Sequence, residues 1–189
     1  GQVRMKGLNT FFLILLIGLF GCSHSDATTK ANHDHALSGT VYLCSIEFDS
    51  TNCSVSGPCD CCAAHLIFLD NQEFISVSYC TGDESYNKGA YTLNDSSLIL
   101  SYGDQCVRNE YNWDKELDTT GSITNDYNTK IQSRKPLSIH ADLFFCEDEL
   151  CLKFGEEFVT RFGAKDTLSV STFIHQLKEK DIWNLLNND

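Results

Sequence analysis

Residues 73–102 read EFISVSYCTGDESYNKGAYTLNDSSLILSY. In the opening eight, Ile75, Val77 and Tyr79 alternate with Ser76 and Ser78. An extended chain with that alternation has one apolar side and one polar side. Segments 89–93 (GAYTL) and 98–102 (LILSY) flank Asn94-Asp95-Ser96, and Asp70-Asn71-Gln72 precedes the whole stretch. Both triplets are turn-forming, because Asn and Asp hydrogen-bond their own backbone and tolerate left-handed geometry. Val, Ile, Phe and Tyr at a period of two mark pleated strands.

The pattern extends in both directions. Runs of the same kind occupy 40–48, 64–69, 137–145, 150–154 and 158–162. Within 137–145, Leu137, Ile139, Ala141, Leu143 and Phe145 share a face, with His140 and Asp142 opposite. About eight short strands with short links predict a mainly β fold, an antiparallel meander closed or half closed into a small barrel. Residues 103–134 interrupt it and read as an irregular strand near 106–113 followed by a long loop. The period then changes. In 171–186 (STFIHQLKEKDIWNLL), Phe173, Ile174, Leu177, Ile182, Leu185 and Leu186 recur at helical spacing. This predicts a C-terminal helix over about 171–187, capped by Ser169 or Ser171, broken near Lys180 and packed on the barrel rim or mouth. His175 reads as a surface residue of that helix.

The other end of the chain carries an address. Residues 11–20 (FFLILLIGLF) follow Met5 and Lys6 as an unbroken apolar run. The run is too short for a bilayer, which needs roughly 20 residues, and fits the core of an export signal. It ends at Leu19-Phe20-Gly21-Cys22, which resembles the lipobox of bacterial lipoproteins. That resemblance implies cleavage before Cys22 and acylation of its thiol. Residues 1–21 are then a signal peptide and 22–37 an acylated cysteine with a flexible polar tether. The remainder, 38–189, is a single barrel-like domain with its C-terminal helix. His24, His33 and His35 fall in the tether, which is too poor in apolar groups to fold. The expected location is the bacterial cell envelope, anchored to the outer membrane through lipid, because Ser23 rather than an aspartate follows Cys22.

Charge and sulfur narrow the function. The chain has a formal net charge of −12, and removing the leader with its two basic residues leaves −14. Such a chain is repelled by nucleic acid, so no nucleic-acid partner is expected. Nine cysteines follow Cys22. An oxidising compartment favours disulfides, and an odd number leaves one unpaired within the chain. Cys146 and Cys151 share the outer parity of two strands joined by a tight loop, which predicts a structural disulfide between them. Cys53, Cys59, Cys61 and Cys62 fall within ten residues of a loop after the first strand. Thiolates so spaced suit copper or zinc, or redox exchange if one is acidified. The alternative is a loop stapled to Cys44, Cys80 or Cys106.

Taken in order, the lipobox, the polar tether, a glycine-led first strand, the Pro58-Cys59-Asp60-Cys61-Cys62 loop, Gly89-Ala90-Tyr91-Thr92-Leu93 and Leu98-Ile99-Leu100 show a likeness. They resemble the N-terminal domain of NlpE-like outer-membrane lipoproteins over about 38–102. The resemblance implies a small lipocalin-related barrel and a role in copper tolerance or envelope-stress sensing, with only Cys59 and Cys62 carried over. No nucleophile elbow, phosphate loop or zinc-hydrolase motif occurs. A non-catalytic envelope lipoprotein is therefore expected, sensing metal or redox state through its cysteine loop. A thiol–disulfide activity lacks its usual βαβ setting. The alternative is a lipocalin-like carrier of a small apolar ligand, which a filled barrel interior would count against. The partners expected are the membrane and either a small ligand or an envelope protein.

Overall fold

In the computed structural model, residues 37–56, 62–112, 127–155 and 160–187 are described. The leader, Cys22 and the tether up to residue 36 lie outside them. The strands are β1 (Val41–Ser45), β2 (Glu47–Asp49), β3 (Ser54–Ser56), β4 (Cys62–Phe68), β5 (Glu73–Cys80), β6 (Asp83–Asn94), β7 (Ser97–Tyr102), β8 (Gln105–Tyr111), β9 (Tyr127–Ser133), β10 (Leu137–Cys146), β11 (Glu149–Gly155) and β12 (Thr160–Lys165). Two helices follow, α1 (Val170–Glu179) and α2 (Ile182–Asn187). No helix among the described residues is long and apolar enough to cross a membrane.

Eight strands close a barrel in the order β1-β4-β5-β6-β7-β10-β11-β12, with β12 pairing back to β1. Every pairing is antiparallel, so the chain is the meander that the alternation predicts. Closure leaves the barrel strands without an open edge. The turns read at 70–72 and 94–96 are present, with Gln72 (φ 61°) and Asp95 (φ 45°) in the left-handed region. Two hairpins, β2–β3 and β8–β9, are insertions into the meander.

The insertions account for where the strand reading departs from the structure. The run 40–48 divides at Ile46, because the chain leaves the barrel there to form β2–β3. The segment read as a strand at 89–93 begins at Asp83. Its first part pairs with β8 through Glu84–Tyr86 and its second with β7 from Gly89 onward. Gly89 marks that change of partner. A Cβ there would collide with the Ser101 carbonyl oxygen and come 2.9 Å from the Phe74 ring. The segment 103–134 is the β8–β9 hairpin with its connection, and the last strand is Thr160–Lys165 rather than 158–162.

Alternation sorts the side chains into two cores. Inside lie Tyr42, Leu66, Phe68, Phe74, Tyr91, Leu98, Leu100 and Leu152, together with Leu37, which the sequence places in the tether but the core buries. Outside, Val41, Ile67, Ile75, Val77, Tyr86 and Val107 form an apolar wall under Phe173, Leu177 and Ile182. Burying each such side chain stabilises the fold by about 1.5–3 kcal/mol. Ser169 caps α1 by accepting from the Thr172 amide at 3.2 Å. The helix stops at Lys180, and Asp181 (φ 57°) turns the chain into α2, so the break falls where expected. The helices cover the outer wall, however, not the rim or mouth. An apolar outer face has to be covered by something, and theirs is the complementary one.

The opposite wall is covered by β2–β3. Phe48 stacks on Phe162 at 5.2 Å and meets Phe144 edge-on at 5.4 Å. At the tip of this hairpin Cys53 is bonded to Cys146, 93 positions away, with their Cα atoms 5.6 Å apart. The predicted Cys146–Cys151 bridge is therefore corrected. The β10–β11 turn is so tight that Cys146 faces Glu149 and Cys151 faces Phe144. Cys151 remains a buried thiol.

Candidate functional site

The barrel interior changes character along its axis. At one end the inward side chains are large and apolar, with Phe68, Phe74, Leu98 and Leu37 fully buried. The Tyr42 hydroxyl donates to the Leu150 carbonyl there at 3.0 Å. One row further, the facing residues are Gly163, Cys44, Ala64, Ser78 and Ser85, each opposite the next across five strands. Directly opposed residues share a face, so this row of short side chains lines the interior. Gly163 confirms the direction, since a Cβ on it would meet Cys44 Sγ and Leu152 Cβ at 3.2 Å. Ser76 and Asn87, also opposed, form the adjoining row, and Leu66 is the next residue across from Ser76. The interior is filled with aromatic and leucine side chains at the closed end and lined mainly by short ones, Ser76, Ser78, Ser85 and Asn87 among them polar, at the mouth.

Polar atoms at the mouth end are buried and incompletely paired. Ser76 is 4% and Asn87 7% exposed. Asn87 Nδ2 reaches Ser76 Oγ at 3.5 Å, and Tyr102 lies opposite Gly89, the next inward position of β6 after Asn87. Asn87 Oδ1 is buried without a hydrogen-bond partner among the described residues. An orphaned buried acceptor costs about 1–3 kcal/mol. Burial raises the Tyr102 pKa, against the pull of Ser76 and Arg134. Burial pushes the Cys44 thiol up to about 12, with Arg161 opposing, so this interior thiol is protonated at neutral pH. Above the ring of Tyr102 lies the Arg134 guanidinium, 4.7 Å from the centroid, with Nε donating to the Gly103 carbonyl at 3.1 Å. Arg108 is opposite Ser85 and makes loose ion pairs with Asp83 at 3.5 Å and Glu110 at 3.8 Å.

Other polar groups lie on the outer wall. Glu84 accepts from Lys180 Nζ at 2.7 and 2.9 Å, from Asn109 at 3.1 Å and from the Tyr86 hydroxyl. Burial alone would raise its pKa, but these donors hold the carboxyl below the usual range. His65 Nε2 is 3.1 Å from Asp166 Oδ2, under the rings of Tyr79 and Phe173. A cleft of about 720 Å³ runs between the β2–β3 tip and the end of β12, past Asn52, Val55, Glu149 and Lys165. A second of about 400 Å³ lies between β8–β9 and the α1–α2 junction. Neither contains an orphaned polar side chain as deeply buried as Asn87.

Among the described residues, those singled out from sequence are not brought together as a metal centre. Cys53 is consumed by its bond to Cys146 and has no thiolate to give a metal. Cys59 and Cys61 lie outside the described residues, as does Cys22. Cys62 opens β4 opposite Cys80. Among the described residues no group of three His, Cys, Asp or Glu could hold a metal ion. His175 is a surface residue, its side chain 73% exposed. The sequence reading missed Ser76, Asn87, Tyr102 and Arg134. Their one visible signal was the pair of serines opposite the Ile75–Tyr79 face.

No family model matches the chain, and no curated protein matches it. Among solved structures, a streptavidin-like protein from Bacteroides eggerthii DSM 20697 matches with a TM-score of 0.52, covering 80% of this chain and 97% of that one. The two are 12% identical, so the likeness is one of fold alone. The eight-stranded barrel of this chain resembles the fold of that protein.

Proposed function

We propose that this chain is a lipid-anchored envelope protein whose barrel holds a small ligand at its mouth and does no chemistry on it. The observation that carries the binding half is the unpaired Asn87 Oδ1, which with Ser76 lines the inward face beside a row of short side chains. Buried polar groups are ordinarily satisfied, and one left orphaned beside small side chains is what a ligand donor would complete. The filled closed end argues against a deep apolar pocket and favours a polar ligand over the apolar cargo expected from sequence. The protonated Cys44 argues for binding without covalent chemistry. Anchoring rests on the Leu19-Phe20-Gly21-Cys22 motif.

Native mass spectrometry of protein purified from the envelope tests the binding half. The wild type is expected to retain a small molecule that Asn87→Leu loses. Wild type and variant both free of any bound species would defeat it. Labelling with palmitate tests the anchor, with incorporation expected in the wild type and none in Cys22→Ala.

A further inference from the structure

We infer that the ligand of the mouth is a small organic carboxylate, received by the Arg134 guanidinium. This rests on the reading of the mouth as a binding chamber and names what the chamber takes. Arg134 is preorganised in two ways, by its Nε bond to the Gly103 carbonyl and by stacking on Tyr102. Its Nη2 is buried and has no hydrogen-bond partner among the described residues. No described carboxylate pairs with Arg134, unlike Arg108, which has Asp83 and Glu110, and Lys130, which has Glu110 at 2.7 Å. A guanidinium fixed at one edge and free at another presents a fork that matches a carboxylate. Tyr102 connects that fork to the chamber, because it lies opposite Gly89, the next inward position of β6 after Asn87, whose Nδ2 reaches Ser76 Oγ at 3.5 Å. A ligand carboxylate on Arg134 would therefore direct the rest of the molecule toward Asn87 Oδ1. The single positive charge and planar fork of one guanidinium match a carboxylate monoanion.

The test titrates the 15N-labelled protein with sodium acetate, inorganic phosphate and sodium chloride at matched ionic strength. The Arg134 Nε–Hε signal and the Tyr102 amide are followed by NMR. Acetate is expected to shift both saturably, and Arg134→Gln is expected to weaken this by about tenfold or more, the size of one charge-assisted hydrogen bond. Arg134→Lys, which keeps the charge and loses the fork, should also bind more weakly than wild type. An equal response to chloride, no response to acetate, or tighter binding of phosphate would overturn the inference. A native ligand that copurifies with Arg134→Gln as with wild type would remove the carboxylate assignment and leave the chamber standing.

Discussion

Lys180 and Glu84 are joined across 96 positions of chain, with the Lys180 amine 2.7 and 2.9 Å from the two carboxylate oxygens. The lysine ends α1 and the glutamate lies near the start of β6, so the pair pins the helices to the outer wall. Lys180→Met keeps the aliphatic stem and leaves a buried carboxylate without its cation. The expected loss is about 1–3 kcal/mol, below that of a fully buried pair because the lysine side chain is 44% exposed. Adding Glu84→Gln should recover much of that loss. Urea denaturation of the two single variants and the double reads the coupling directly.

The Cys53–Cys146 bond ties the β2–β3 hairpin over β10–β12. It closes a loop of 93 residues, and breaking it should cost about 2–5 kcal/mol. Cys146→Ser is expected to lower the midpoint of unfolding, while Cys151→Ser leaves the bridge intact. Peptide mapping under non-reducing conditions should show the 53–146 linkage in both wild type and Cys151→Ser protein. A 146–151 linkage in the wild type would contradict the hairpin placement.

His65 predicts a dependence on pH. Burial lowers its pKa, and the nearby Asp166 opposes without prevailing. A neutral ring can donate from Nε2 to Asp166, whereas protonation would place an N–H at Nδ1, which is buried without a partner. A histidine pKa lowered on folding gives stability that is present above its unfolded value, about 6.5, and lost as pH falls from there through the folded value. Glu84 and Glu73, held below the usual carboxylate range, lose their contributions only at more acid pH, below about 4.5. Stability measured from pH 8 to pH 5 should fall, and His65→Gln should flatten that fall.

Much of the fold is legible in the chain. The order of strands, the turns at 70–72 and 94–96 and the helix break at Lys180 follow from periodicity and turn chemistry. The interior was harder to read because polarity is inverted at the mouth. Ile75, Val77 and Tyr79 look like a core face and do bury, but outward, under the helices. Ser76 looks like a solvent face and lines the barrel. Asn87 lies in a polar stretch, DESYNK, whose alternation of Tyr86 outward and Asn87 inward is invisible to a rule that puts apolar residues inside. The disulfide was illegible for a different reason. Cys53 meets Cys146 only because β2–β3 folds back over the wall, a contact no local spacing encodes.

Asn87 lies at the centre of the account, which holds that its unpaired oxygen is kept for a ligand at the expense of stability. The direct measurement is urea denaturation of ligand-stripped wild type against Asn87→Leu. Removing an orphaned buried acceptor should raise the stability by about 1 kcal/mol or more, since the desolvation penalty disappears. A variant less stable than wild type by a similar amount would mean that Asn87 is a satisfied structural group, and the chamber reading would fail.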